Sequence, residues 1–222
     1  MACFANSWYL FYQKGDMSQR GIKDSLLIAT EPINKFFLDN IQYRNYLMIL
    51  CSGLLDVMTL ASCYYWARYS TTWRFLLAMG VFYSLRSMTT NLVIYEIPKG
   101  YNWGYPGVMS LFVPYGATAD FFYSGHVGTC VLQYNEFHSN GKSNWAAFCI
   151  VTMLFQIFMM VALRSHYTLD MLAAVIFAHY IFIMSERYSY LVDYYIFGIP
   201  LSKRLANNSY HFSELQQQDS SS

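Results

Sequence analysis

The chain has 222 residues, of which 55% are apolar, 19% aromatic and 12% charged, with a formal net charge of +1. Soluble domains carry roughly 25% charged residues, so this composition excludes an ordinary water-soluble globule. The near-neutral balance, with no block of like charge, excludes a nucleic-acid-binding surface.

In chain order, "MACFANSWYLFY" is apolar for too few residues to cross a bilayer and lacks the basic start of a signal peptide. Residues 1–45 read as an amino-terminal surface or interfacial segment. Five stretches then approach or exceed the ~20 residues a membrane helix needs: Tyr46–Ala67, Trp73–Tyr95, Phe121–Phe137, Trp145–Leu163 and Tyr167–Met184. The third is short. Pro98, Gly100, Gly104, Pro106 and Gly107 mark a loop between the second and third. "LFVPYGA" after it reads as a re-entrant or interfacial piece, interrupted by Pro114 and Gly116. The fold class expected is all-α, a polytopic transmembrane bundle of about five spans over residues 46–186. Residues 187–222 read as a polar tail, in which Asn207-Asn208-Ser209 fits the glycosylation pattern. The cysteines (Cys3, Cys51, Cys63, Cys130 and Cys149) are odd in number and lack metal-ligand spacing. Four lie in apolar runs and read as buried thiols.

Two polar insertions stand out. "DFFYSGHVG", residues 120–128, places Asp120 and His126 at the start of span three, and an ionisable residue at membrane depth is a functional-site candidate. "RSHYTLDML", residues 164–172, precedes and opens span five. Spans three and five are separated by one span and run in the same direction, so His126 and His166 lie near one membrane face. Arg86, nine residues before the end of span two, approaches that face within about 14 Å of helix. Lys and Arg placement (Arg68, Arg74, Lys142, Arg187, Lys203 and Arg204 against Lys35, Arg44, Lys99 and Arg164) favours a cytosolic tail and an exoplasmic or lumenal histidine face.

His166 and Asp170, four apart, share one helix face. An aspartate accepting from one ring nitrogen fixes the tautomer and leaves the other as a nucleophile. His126 would then serve as acid and base on the far side of a reacting phosphorus, with Arg86 and Arg164 holding phosphate oxygens. Structural alternatives stand beside this reading. His166 could be an interfacial histidine capped by Asp170, Arg86 could pair with Asp56 or a lipid headgroup, and the histidines with Asp170 could ligate zinc. The zinc set lacks a third His or Cys at matching depth. His179 points away, and His138 and His211 read as solvated.

Together "YSGH" and "HYTLD" resemble the sphingomyelin synthase-like family and the related plant phosphatidylcholine:diacylglycerol cholinephosphotransferases, within the type 2 lipid phosphatase superfamily. "EPINKFFLDNI" and "LRSMTTNLVIYEIP" add looser similarity, so the resemblance spans about residues 30–185. It implies His126, His166 and Asp170 as a catalytic triad, with Asp120 at the family's aspartate six residues before the first histidine. Thr118 and Ala119 depart from that box, and the family usually has six spans. The substrate-binding set read with these motifs is Arg86, Asp120, Tyr123, Ser124, Gly125, Arg164 and Tyr167. Ser124 and Gly125 would let a phosphate approach the backbone.

Lipid phosphatases carry KxxxxxxRP and SRxxxxxHxxxD boxes. This chain has no Arg-Pro pair, and Met159 and Met160 stand at the Ser-Arg positions. A phosphomonoester dianion needs several cations, so their absence points to a diester headgroup transferase. The expected substrates are phosphatidylcholine with ceramide or diacylglycerol, reacting through a phosphohistidine with no cofactor or metal, in an endomembrane or the plasma membrane. A headgroup-releasing hydrolase and a non-catalytic lipid-binding protein are the alternatives.

Overall fold

The computed structural model describes residues 23–92, 96–116 and 122–199, all helix or loop with no strand among them. Two short helices, α1 (Ser25–Ala29) and α2 (Glu31–Asp39), precede five long ones. These are α3 (Ile41–Tyr69), α4 (Arg74–Leu92), α5 (Gly125–Ser139), α6 (Ser143–Ala162) and α7 (Thr168–Leu191), the last passing into a π-helical turn at Val192–Ile196.

Three of them, Ile41–Tyr69, Ser143–Ala162 and Thr168–Ile196, are long and apolar enough to cross a membrane. The protein is thus an all-helical bundle of the membrane type. The five long helices fall on the five stretches expected from the sequence, but α4 and α5 do not meet that test over the described residues. For α5 the physical reason is plain. Its 15 residues rise only about 22 Å, against a hydrocarbon core of about 30 Å. It packs against α3, α4, α6 and α7, and most of its residues are buried. A helix sheathed by protein has no need of a lipid-compatible surface. Its buried Gln133 donates to Thr59 of α3 at 3.0 Å, and its buried Glu136 is ion-paired.

Close approach of α4 and α5 depends on Gly128, where an added Cβ would sit 2.0 Å from the Phe82 ring. α3, at 29 residues, rises about 43 Å and exceeds the apolar core. Lower on α3, Asp56 accepts from Ser110 Oγ at 2.8 Å and from the backbone N–H of Leu111 and Phe112 at 3.0 and 3.1 Å. The 96–116 loop thereby folds back along the helix, with Tyr115 donating to Ser52 at 2.7 Å. Met109, 83% exposed, and Leu111, 71% exposed, form its apolar tip. Irregular backbone at membrane depth requires such acceptors. Asp56 supplies them, so its charge is engaged by the loop rather than by Arg86.

At one end of the bundle Arg74 of α4 donates to Glu136 of α5 and Glu186 of α7, each at 3.0 Å. The antiparallel run of α4 against α5 and α7 places the two histidine motifs at the other end.

Candidate active site

Local chemistry explains how both histidine segments are shaped. Ser124 is the N-cap of α5, its Oγ accepting from Val127 N at 3.4 Å, so the helix begins at Gly125 and carries His126 in its first turn. α7 begins after Tyr167, whose N–H donates to Asp170 Oδ2 at 3.0 Å while Asp170 N donates to the Tyr167 carbonyl at 3.1 Å. This reciprocal N-terminal arrangement holds Asp170 back over its own helix start. Ser124 N donates to the Asp170 carbonyl at 3.1 Å, tying the two motifs together through the backbone.

The His126 and His166 rings lie 6.4 Å apart between centroids, edge toward face. His166 Nδ1 stands 3.5 Å from Asp170 Oδ2, with both side chains buried. That is longer than a 2.7–3.2 Å hydrogen bond, and such contacts are often long before substrate binds. Both ring nitrogens of His126 are buried and have no hydrogen-bond partner among the described residues. A buried polar group left without a partner is costly and rare, and one set between two polar motifs points to function. Trp103, held by its indole N–H donating to the Pro114 carbonyl at 3.2 Å, stands edge-on to the His126 ring at 5.5 Å.

Arg86 reaches the same place from α4. Its Nε donates to the Tyr123 carbonyl at 3.1 Å. Its guanidinium lies where a Cβ on Gly125 would come within 3.2 Å, so the absence of a side chain there admits the arginine next to His126. Six of the expected residues (Arg86, Ser124, Gly125, His126, His166 and Asp170) therefore converge.

The others are placed differently. Arg164 adopts φ 54, and its guanidinium donates to the Lys99 carbonyl at 2.7 Å and the Leu27 carbonyl at 2.9 Å. Those bonds turn it toward α1 and the loop. Tyr123 is buried against Phe82 and Phe177 and donates to the Phe82 carbonyl at 2.7 Å. The Tyr167 hydroxyl donates to the Glu96 carbonyl at 2.8 Å. Asp120, with Thr118 and Ala119, lies outside the described residues, as do residues 1–22 of the amino-terminal segment and the tail beyond residue 199. Among the described residues, no three His, Cys, Asp or Glu side chains are grouped to hold a metal ion.

Two neighbours of the site carried no signal in the sequence. Trp103 sits in an aperiodic loop. Asp24 accepts from Thr168 N at 2.6 Å and Thr168 Oγ1 at 2.8 Å, across 144 positions of chain. Burial alone would raise the Asp24 carboxyl, but the bonds from Thr168, Leu27 and Leu26 outweigh it and hold the group below its ordinary range.

Residues 118–193 match the family model described as PAP2 superfamily C-terminal. The match covers both histidine motifs and helices α5 to α7, leaving α1 to α4 outside it. It supports the type 2 lipid phosphatase superfamily and, with it, activity of the lipid phosphatase or phosphotransferase type. No curated protein and no solved structure matches the chain.

Proposed function

We propose that the protein transfers phosphocholine from phosphatidylcholine to a lipid alcohol, ceramide or diacylglycerol, through a phosphohistidine on His166. The single observation that supports this most is the pairing of His126, its ring nitrogens without a hydrogen-bond partner among the described residues, with a His166 steadied by Asp170. In the first step His166 Nε2, the ring nitrogen that does not face Asp170, attacks phosphorus and the diacylglycerol oxygen departs, taking a proton from protonated His126. In the second, His126 takes the proton of the acceptor hydroxyl, whose oxygen attacks phosphorus and releases His166. The proton given in the first step is recovered in the second, so the enzyme returns to its starting state. Asp170 orients His166 and stabilises the cation that forms on it. Arg86, beside Gly125, offers one cation to a diester that carries one phosphate charge.

Absent basic residues support a transferase over a phosphatase. The cation-rich boxes are missing, and both terminal nitrogens of the Arg164 guanidinium donate to the Lys99 and Leu27 carbonyls. A site set among membrane helices also meets lipid alcohols more readily than water. The test is incubation of purified protein with headgroup-labelled phosphatidylcholine and each acceptor in turn. A new choline phospholipid is expected, with little phosphate released from phosphatidic acid. Label recovered only as soluble phosphocholine, or brisk phosphate release from phosphatidic acid, would replace the transferase with a hydrolase.

A further inference from the structure

We infer that Asp24, far outside both histidine motifs, is a positioning residue for the reaction: it holds the start of α7 so that Asp170 stays committed to His166. This rests on the reading of His166 as the nucleophile. The first N–H groups of a helix have no partner within it and seek acceptors. At α7, Tyr167 N takes Asp170 Oδ2, the same oxygen that faces His166 Nδ1. Thr168 N, one residue further on, would compete for that carboxylate, the nearest along its own chain. Asp24 removes the competition by taking Thr168 N on one oxygen and Thr168 Oγ1 on the other. Its negative charge also lies at the positive end of α7, where a carboxylate is favoured.

Asp24 is itself fixed. It caps α1 by accepting from Leu26 N at 3.0 Å and Leu27 N at 3.3 Å. Arg164, just upstream of His166, holds the Leu27 carbonyl. Asn34 of α2 donates at 2.9 Å to both the Gly100 and Ala162 carbonyls, binding α2 to the end of α6. Residues 24–34 thus form a collar around the turn that carries His166. Leu26, Ile28, Ile33 and Phe36 point outward from it, as expected of a segment lying on a membrane surface. Nothing in "GIKDSLLIAT" marks Asp24 as different from any helix cap.

The test is steady-state headgroup transfer by the full chain in lipid nanodiscs, with kcat and KM separated. Asp24→Ala should lower kcat about tenfold, the scale of a lost charge-assisted hydrogen bond, with KM for phosphatidylcholine within about twofold. Thr168→Val should lower kcat less, Thr168→Ser should match the wild type, and Asp24→Ala with Thr168→Val should be no worse than Asp24→Ala alone. If Asp24→Ala does not fold, the Thr168 pair decides, since each of those changes leaves the cap of α1 intact. Wild-type kcat in Asp24→Ala, additive losses in the double variant, or an effect on KM alone would each overturn the inference. If those results came with a dead His166→Ala, only the role of Asp24 would fall. An active His166→Ala would take down the functional reading and this inference together.

Discussion

Helices α4, α5 and α7 bring charged and titratable side chains together twice, at opposite ends of the bundle. At one end Arg74 bridges Glu136 and Glu186, with the Arg74 and Glu136 side chains each 4% exposed. Asn140 donates to Glu136 Oε1 at 2.9 Å, and Arg74 also lies over the Phe182 ring at 5.0 Å. Asp193 of the π-helical turn closes the same end, accepting from Thr72 Oγ1 and Trp73 N at 2.8 Å each. Each of these four charges, Arg74, Glu136, Glu186 and Asp193, has its partner. At the other end His126 has buried ring nitrogens with none among the described residues. Burial alone does not separate a structural cluster from a reactive one. Pairing of the charged and titratable side chains does, because a paired ion network can only hold, whereas an unpaired titratable group retains something to give a substrate.

The sharpest way to break this contrast is to remove one member from each end. Arg74→Ala leaves Glu136 buried without its cation and should cost about 3–5 kcal/mol of stability, measured by denaturant or thermal unfolding in detergent. His126→Ala should abolish transfer yet leave the unfolding midpoint at or above that of the wild type, since it deletes ring nitrogens that have no hydrogen-bond partner among the described residues. A large loss of stability in His126→Ala, or an indifferent Arg74→Ala, would erase the distinction.

Asp56 is an intermediate case, a charge on a membrane helix that is satisfied by a loop. Asp56→Ala strips acceptors from Leu111 and Phe112 and should cost about 1–3 kcal/mol. The 108–112 tip should then become open to protease in nanodiscs. Unchanged protection would mean that the loop is held by other contacts.

A smaller effect separates the collar from the core of the histidine end. The Asp24 carboxyl is held below its ordinary value of 3.8 in the folded protein. A depressed carboxyl contributes stability that is complete above its unfolded value and is lost as pH falls through the folded one. Acidification below about pH 4 should therefore lower the hydrogen-exchange protection factors (measured against the intrinsic rate at each pH) in residues 24–29, and Asp24→Asn should remove that step. Protection factors independent of pH in the wild type would contradict it.

Much of this was legible in the sequence, and for definite reasons. Span parity and the 3.6-residue turn carry Arg86, His126 and His166 to one face, because helix direction and rise follow from chain order. The spacing of His166 and Asp170 likewise puts them together. Arg164 shows where chain order stops: its rank beside His166 suggests a phosphate ligand, and a φ of 54 at a non-glycine residue turns the chain and directs its guanidinium to Lys99 and Leu27. No local pattern announces that turn. The shortness and polarity of α5 were visible, but their cause, a helix enclosed by four others, is a tertiary fact. Thr168 and Asp24 meet across most of the chain, and periodicity carries no information about such pairs.

The central claim, a covalent route through His166, is tested most directly by trapping. Purified protein is given headgroup-labelled phosphatidylcholine without acceptor, quenched in alkali, and examined for label on the polypeptide. The account predicts label that survives alkali and is lost in acid, that is absent from His166→Ala, and that passes to lipid when diacylglycerol or ceramide is added. Transfer at the wild-type rate by His166→Ala, or labelled lipid product formed by a polypeptide that never carries label, would contradict it.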